Sequence, residues 1–297
     1  MTSRLETYRV SAYNTAKQSE NKMHDDTVAK RFGFSGGLVP GVDVMAYMMH
    51  MPVAKWGRDF LERGLIDARF VKPVYDGETV EVTAEESNGV LSIEVKSRGQ
   101  LCATGTASLP ASAPPISIAD YREVAAVAER KQVDAMSYEL GKWLGTVPRR
   151  WAGDAATEYL ADIREADSIY AREGFGHPGL LQRVMNRVLV DNAILGPWIH
   201  VGSRMQLLLA GKACNEITAR AKVTDNYDKK ATASSSSTRW WSPMAARRWR
   251  IASISRSTSR ASRQRRDHAR HRRLLPVAQF ALDLYGQRAV RRDRPAE

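Results

Sequence analysis

The stretch Ser19-Glu20-Asn21-Lys22-Met23-His24, followed by Gly33-Phe34-Ser35-Gly36-Gly37 and then Leu38-Val39-Pro40-Gly41, decides how this chain is read. Its first part is polar and runs into a glycine-rich turn. Pro40 then stands near a helix start, where its missing N–H costs nothing. Beyond it Val42, Met45, Met49, Val53, Trp56 and Phe60 recur at gaps of 3, 4, 4, 3 and 4, the period of one buried helical face. Pro52 is expected to kink or divide this helix.

Strands flank the helix on both sides. Residues 7–13 read as one strand, and residues 66–74, 79–84, 91–95 and 101–107 as four more. Val80, Val82 and Ala84 alternate against Glu81 and Thr83, and Leu91, Ile93 and Val95 against Ser92 and Glu94, with Asn88-Gly89 between them as a tight-turn signal. One long helix followed by consecutive antiparallel strands is an α+β layer, with the helix laid on a curved sheet.

The pattern then repeats. Ala171-Arg172-Glu173-Gly174-Phe175-Gly176 matches Lys30-Arg31-Phe32-Gly33-Phe34-Ser35 at an offset of 141, and an apolar helix over residues 180–195 follows, as in the first copy. Ile217, Ala219, Ala221 and Val223 alternate as a strand. The expected organisation is a first unit over 1–108, a Pro/Ala/Ser-rich linker over 109–130, a second unit over 131–230 that stops short of its last strands, and a tail over 231–297.

Charge separates this tail from the rest. The chain has 45 Lys and Arg against 33 Asp and Glu, but the tail alone holds 16 Arg, no Lys and 4 acidic residues, so the first 230 residues are balanced at 29 against 29. A disordered basic arm with Trp240, Trp241 and Trp249 would suit RNA or DNA. The loss of Lys alongside a surge of Arg and Ser instead fits a coding sequence read out of frame. Shifted by one base, residues 238–245 allow an apolar strand closing on glycine, and residues 251–258 allow His-Arg-Leu-Asp-Leu-Ala-Ile-Tyr, together a hairpin that would complete the second unit. The neutral body argues against nucleic acid as the partner.

Composition excludes other classes. Mean hydropathy is −0.41, and no run of about 18 apolar residues suggests a membrane span. Residues 1–20 show no signal-peptide apolar core, so a soluble cytoplasmic protein is expected. Cys102 and Cys214 alone provide neither a disulfide framework nor a four-ligand zinc cluster, and no metal is expected.

The Ser19 to His24, Ala29 to Phe34 and Gly37 to Gly41 segments resemble the MaoC-like, (R)-specific enoyl-CoA hydratase branch of the hotdog superfamily. That family's motif runs Asp-x-Asn-Pro-x-His, then a short helix ending near Gly-Phe, then a His-Gly or Pro-Gly pair at the start of the central helix. The resemblance implies a double hotdog over most of residues 1–230, its two sheets joined edge to edge. It implies an acyl-CoA hydratase/dehydratase-like lyase of fatty-acid metabolism that adds water to trans-2-enoyl thioesters. The thioester, on CoA or an acyl carrier, is the substrate, with no resident cofactor; a homodimer is allowed.

Carried over by motif, His24 is the acid/base residue and Gly41 the backbone donor to the thioester carbonyl, the two needs of such chemistry. Ser19, Asn21, Asp43, Met45 and Met49 form the expected substrate-binding set. Asn21 would shape the loop, and the methionines would pack the helix or line an acyl tunnel. Asp43 would complement the helix dipole or act as a thioesterase carboxylate. Several positions depart from the family: its aspartate falls on Ser19, its proline on Lys22, a helix serine on Met49, and in the second copy the histidine position falls on Glu165. His177 and His200 match no motif. A non-catalytic acyl-thioester-binding protein and a hotdog thioesterase remain the alternatives.

Overall fold

A computed structural model of the chain describes residues 2–134, 136–151, 153–211, 214–229, 246–258 and 274–287. In chain order the elements are β1 (Ser3–Arg4), β2 (Tyr8–Ser11), α1 (Asp26–Arg31), α2 (Gly41–Trp56), α3 (Arg58–Arg63), β3 (Leu65–Phe70), β4 (Thr79–Ser87), β5 (Val90–Ser97), β6 (Gln100–Ser108), β7 (Trp143–Gly145), β8 (Arg149–Trp151), α4 (Gly153–Asp162), α5 (Ser168–Glu173), α6 (Pro178–Val190), β9 (Trp198–Leu207), β10 (Cys214–Lys229), β11 (Ala246–Thr258) and β12 (Leu274–Gln287).

The strands form one sheet in the order β1-β4-β5-β6-β3-β9-β12-β11-β10-β7, with β2 also on β4 and β8 also on β10. The order is a duplication. Short strands β1 and β2 flank β4 in one half as β7 and β8 flank β10 in the other, and from there β4-β5-β6-β3 is mirrored by β10-β11-β12-β9. The halves join through antiparallel pairing of β3 with β9, where Ile66 faces Met205 and Ala68 faces Ser203. Each half would otherwise end there in an open edge with unpaired N–H and C=O groups, and the join removes both edges.

Each half wraps a central helix. In α2 the whole stretch Val42 to Met49 is buried, as are Met51, Pro52 and Val53. Each buried methionine or valine contributes about 1.5–3 kcal/mol of apolar burial. The helix is not divided at Pro52: α2 runs through it, and the chain turns at Gly57 (φ 54°) before α3 begins. Pro52 costs the helix one backbone hydrogen bond but sits buried among apolar neighbours, so packing outweighs that loss. The hairpin between β4 and β5 turns at Asn88 (φ 51°) and Gly89 (φ 75°), two successive left-handed residues as a tight turn of this kind requires.

The sheet also continues past residue 230, the expected end of the second unit. Residues 246–258 and 274–287, assigned above to the tail, are β11 and β12 and stand where β5 and β6 stand in the first half. In the sequence of β12 the apolar residues Ala278, Phe280, Leu282 and Leu284 alternate with the period of a strand, and residue 280 pairs with residue 205 in the register. Residues 238–245, half of the shifted-frame hairpin, lie outside the described residues.

Candidate active site at the join of the two halves

Asn21 opens a short turn, Lys22–His24, whose backbone it caps through its own side chain. The same side chain grips the other half: its Oδ1 accepts from the Trp198 N–H at 3.1 Å, and its Nδ2 donates to the Trp198 carbonyl at 2.8 Å. The Asn14 amide donates to the His24 carbonyl at 2.9 Å. The His24 backbone is therefore held from two sides, and its imidazole is half-buried.

Ring orientation fixes the protonation of His24. Nδ1 lies 2.7 Å from the Leu38 carbonyl oxygen, which can only accept, so Nδ1 carries the hydrogen. Nε2 is left as the proton-accepting nitrogen, 3.3 Å from the Asn21 amide. Burial holds the imidazole pKa below its usual value, with the Leu38 carbonyl and the Asp43 charge pulling the other way. At neutral pH the ring is uncharged and Nε2 is basic.

Gly41 begins α2 after Pro40, so its N–H belongs to the first turn and has no intrahelical acceptor. A side chain there would crowd the His200 ring, because a Cβ would lie 3.0 Å from His200 Nδ1 and 3.1 Å from His200 Cβ. The His200 ring is itself fixed through Nε2 by Ser203 Oγ at 2.6 Å and the Gly202 carbonyl at 2.9 Å. His24, Gly41 and His200 line one narrow recess of about 40 Å³, room for a water molecule. A wider cleft of about 510 Å³ shares His24, Asn21, Pro40, Asn186 and Trp198 with this recess, and Val42, Val184, Arg149 and Arg187 also line it.

Other expected residues stand elsewhere. Asp43 is fully buried and lines neither space. Its Oδ2 accepts from Thr15 Oγ1 at 2.5 Å, and its Oδ1 accepts from Arg183 Nε at 3.1 Å and Nη2 at 3.0 Å. Burial raises its pKa, while Arg183 and Thr15 stabilise the ionised form. A carboxylate committed in this way does not reach a thioester; Asp43 ties α2 to α6 instead. Met45 and Met49 are fully buried core residues outside both spaces, and Met45 Sδ accepts from Gln182 Nε2 at 3.0 Å. Ser19 lines the wider cleft, its hydroxyl donating to the Asn21 carbonyl at 3.2 Å.

Among the described residues the second half holds no copy of this arrangement. Glu165, at the repeated histidine position, accepts from His50 Nδ1 at 3.0 Å. His177 caps α6, its Nδ1 accepting from the Gly179 N–H at 3.0 Å, and is fully buried. Burial pushes it down to about 4. Thr15, Arg149, Arg183, Asn186, Arg187, Trp198 and His200 were not singled out as site residues by the sequence, and most of them come from the second half. Among the described residues no group of His, Cys, Asp and Glu is placed to hold a metal, and no helix is long and apolar enough to cross a membrane.

No protein-family profile and no curated protein matches the sequence. Solved structures do match. A MaoC domain protein described as a dehydratase, from Chloroflexus aurantiacus J-10-fl, superposes with a TM-score of 0.61 at 10% identity over 98% of this chain and 95% of its own. A conserved protein from Mycobacterium tuberculosis, described as having a double hotdog fold, superposes with a TM-score of 0.57 at 12% identity over 94% of this chain and 95% of its own. With its two mirrored halves, each a curved sheet around a central helix, the chain has the double hotdog fold.

Proposed function

We propose that the chain is a hydratase/dehydratase acting on acyl thioesters, with His24 as its acid/base residue and the Gly41 N–H as the donor to the thioester carbonyl. One observation carries this reading: the Leu38 carbonyl holds the His24 proton on Nδ1, which leaves a basic Nε2 beside a helix N-terminus. A trans-2-enoyl thioester placed with its carbonyl oxygen at Gly41 presents C3 to a water held by Nε2. The imidazole takes a proton as the water oxygen bonds to C3. The electrons pass to the carbonyl oxygen, where a preorganised amide stabilises the enolate. The imidazolium then returns the proton to C2, giving the 3-hydroxyacyl thioester; the reverse sequence is dehydration. A single base working in both steps replaces the aspartate that Ser19 does not supply.

The serine at the family's aspartate position favours one competing reading, a protein that binds acyl thioesters without turning them over. Ser19 cannot ionise, and Asp43 is bound by Thr15 and Arg183. Incubating the full chain with crotonyl-CoA and longer trans-2-enoyl-CoAs separates the readings. Hydration removes the conjugated thioester absorbance without releasing thiol, hydrolysis releases thiol, and a binder does neither. Loss of hydration in His24→Gln supports the assignment; wild-type turnover in that variant removes it.

A further inference from the structure

The cleft that His24 lines also carries positive charge. Arg149 from β8 and Arg187 from α6 both line it, and both turn to the same carboxylate. Arg149 Nη2 lies 3.1 Å and Arg187 Nη2 3.2 Å from Asp191 Oδ1. Asp191 is buried and also accepts from the Val147 N–H at 3.0 Å. Two guanidiniums on one carboxylate leave a surplus of one positive charge.

The nearby cations have carboxylates of their own: Arg183, one turn before Arg187 on the same face, is shared by Asp43 and Asp162. Glu20, at the rim, is taken by Arg130 at 2.7 Å. The side chains of Arg149 and Arg187 remain 38% and 36% exposed, so they are open to whatever enters the cleft. Each uses only Nη2 on Asp191, and a guanidinium carries five N–H donors in a fork that matches a carboxylate. Val42, Leu180, Val184 and Val190 add apolar wall to the same cleft. A cleft lined by a basic nitrogen, by hydrocarbon and by two partly exposed guanidiniums suits an acyl chain that carries a negative charge of its own.

We infer that the acyl group this protein takes carries a terminal carboxylate, so that its substrates are monothioesters of dicarboxylic acids, with Arg149 and Arg187 as the specificity-determining pair. The inference rests on the hydratase-type reading of the His24 cleft. A cleft of about 510 Å³ suits an acyl chain. The bulky, hydrated phosphates of a carrier belong outside it, so the carboxylate is assigned to the acyl chain.

The test uses N-acetylcysteamine thioesters, which carry no phosphate. Hydration of trans-2-enoyl chains ending in carboxylate is compared with that of methyl-ended chains of matched length, in the full chain. The expected result is a kcat/KM at least about tenfold higher for the carboxylate series, the worth of a charge-assisted contact. That preference, read as the ratio of the two series within each variant, should disappear through KM in Arg187→Met and recover in Arg187→Lys. Asp191 keeps Arg149 as its partner in both variants, so the fold is retained. A preference for methyl-ended chains, or a carboxylate preference that survives Arg187→Met, overturns the inference. An advantage of CoA over N-acetylcysteamine that alone depends on Arg187 reassigns the pair to carrier phosphates and overturns it too.

Binding of the saturated adipoyl and hexanoyl monothioesters, measured by calorimetry, gives the same contrast without turnover. If no thioester is hydrated but adipoyl binds more tightly than hexanoyl and loses this advantage in Arg187→Met, the hydratase reading fails and the charge recognition stands. Equal affinities end the inference.

Discussion

Asn21 and Trp198, 177 residues apart, are joined by two hydrogen bonds between one side chain and one peptide: Oδ1 accepts from the Trp198 N–H and Nδ2 donates to its carbonyl. The loop that carries His24 in the first half is thereby registered against β9 of the second. An extended strand offers its N–H and C=O at a fixed spacing, and an amide side chain is the one group that answers both. Replacing it by Ala leaves two buried backbone groups unsatisfied, each costing about 1–3 kcal/mol. Asn21→Ala should therefore lower the denaturation midpoint and reduce turnover beyond what the lost stability explains. Asn21→Asp keeps the acceptor and loses the donor, and should fall between the two in chemical denaturation.

The Asp43 and Arg183 pair links the two central helices. Breaking a buried pair leaves one charge uncompensated, at a cost of about 3–5 kcal/mol. Asp43→Asn should therefore show its main effect in thermal melting. A hotdog thioesterase built on Asp43 would instead keep its stability and lose thiol release, so melting and thiol assays on this one variant separate the roles.

Gly41→Ala places a methyl group against a His200 ring that Ser203 and the Gly202 carbonyl do not let move. Overpacking of this kind costs about 1–3 kcal/mol. If the Gly41 amide polarises the thioester, kcat should drop more than affinity for a saturated acyl thioester, which kinetics and calorimetry together report.

His177 makes stability depend on pH. Its folded pKa is about 4, below the unfolded value of about 6.5. The unfolded chain therefore binds a proton first as pH falls. The stability present above pH 6.5 declines between there and about pH 4 and is then level. At about 1.4 kcal/mol per pH unit the loss is up to about 3 kcal/mol. Glu165, His50 and Arg183 are the charged neighbours of the ring, and Glu165 opposes the other two. His177→Asn keeps a capping acceptor for the Gly179 N–H and should flatten the decline in urea unfolding between pH 7 and pH 4.

Much of the first half was legible because its signals are local. The stripe from Val42 to Phe60, the alternation in β4 and β5 and the Asn88-Gly89 turn are each decided within a few residues, and the repeat at residues 171–176 announced the second helix. At Pro52 burial overrode backbone propensity, and the break fell on Gly57. The site was legible only where one half supplies it. His24, Asn21 and Gly41 meet around the same recess, but Trp198, Asn186 and the arginine pair come from the other half through the β3 and β9 join, which no local pattern reports. Asp43 looked available from its place in the first turn of α2; only the packing of α6 shows it taken. β12 carried a readable alternation at Ala278, Phe280, Leu282 and Leu284, hidden by the composition of the surrounding tail.

The most direct measurement is the pH dependence of kcat/KM for hydration of a trans-2-enoyl thioester by the wild-type chain and by His24→Gln. With Nε2 as the base and burial holding its pKa below 6.5, the rate should be level at pH 7 and above, and should fall about tenfold per unit on the acid side of a midpoint below 6.5. In His24→Gln it should be lower by about two to four orders of magnitude, with that limb gone. A wild-type rate in the variant, or the same acid limb in both proteins, would contradict His24 as the acid/base group.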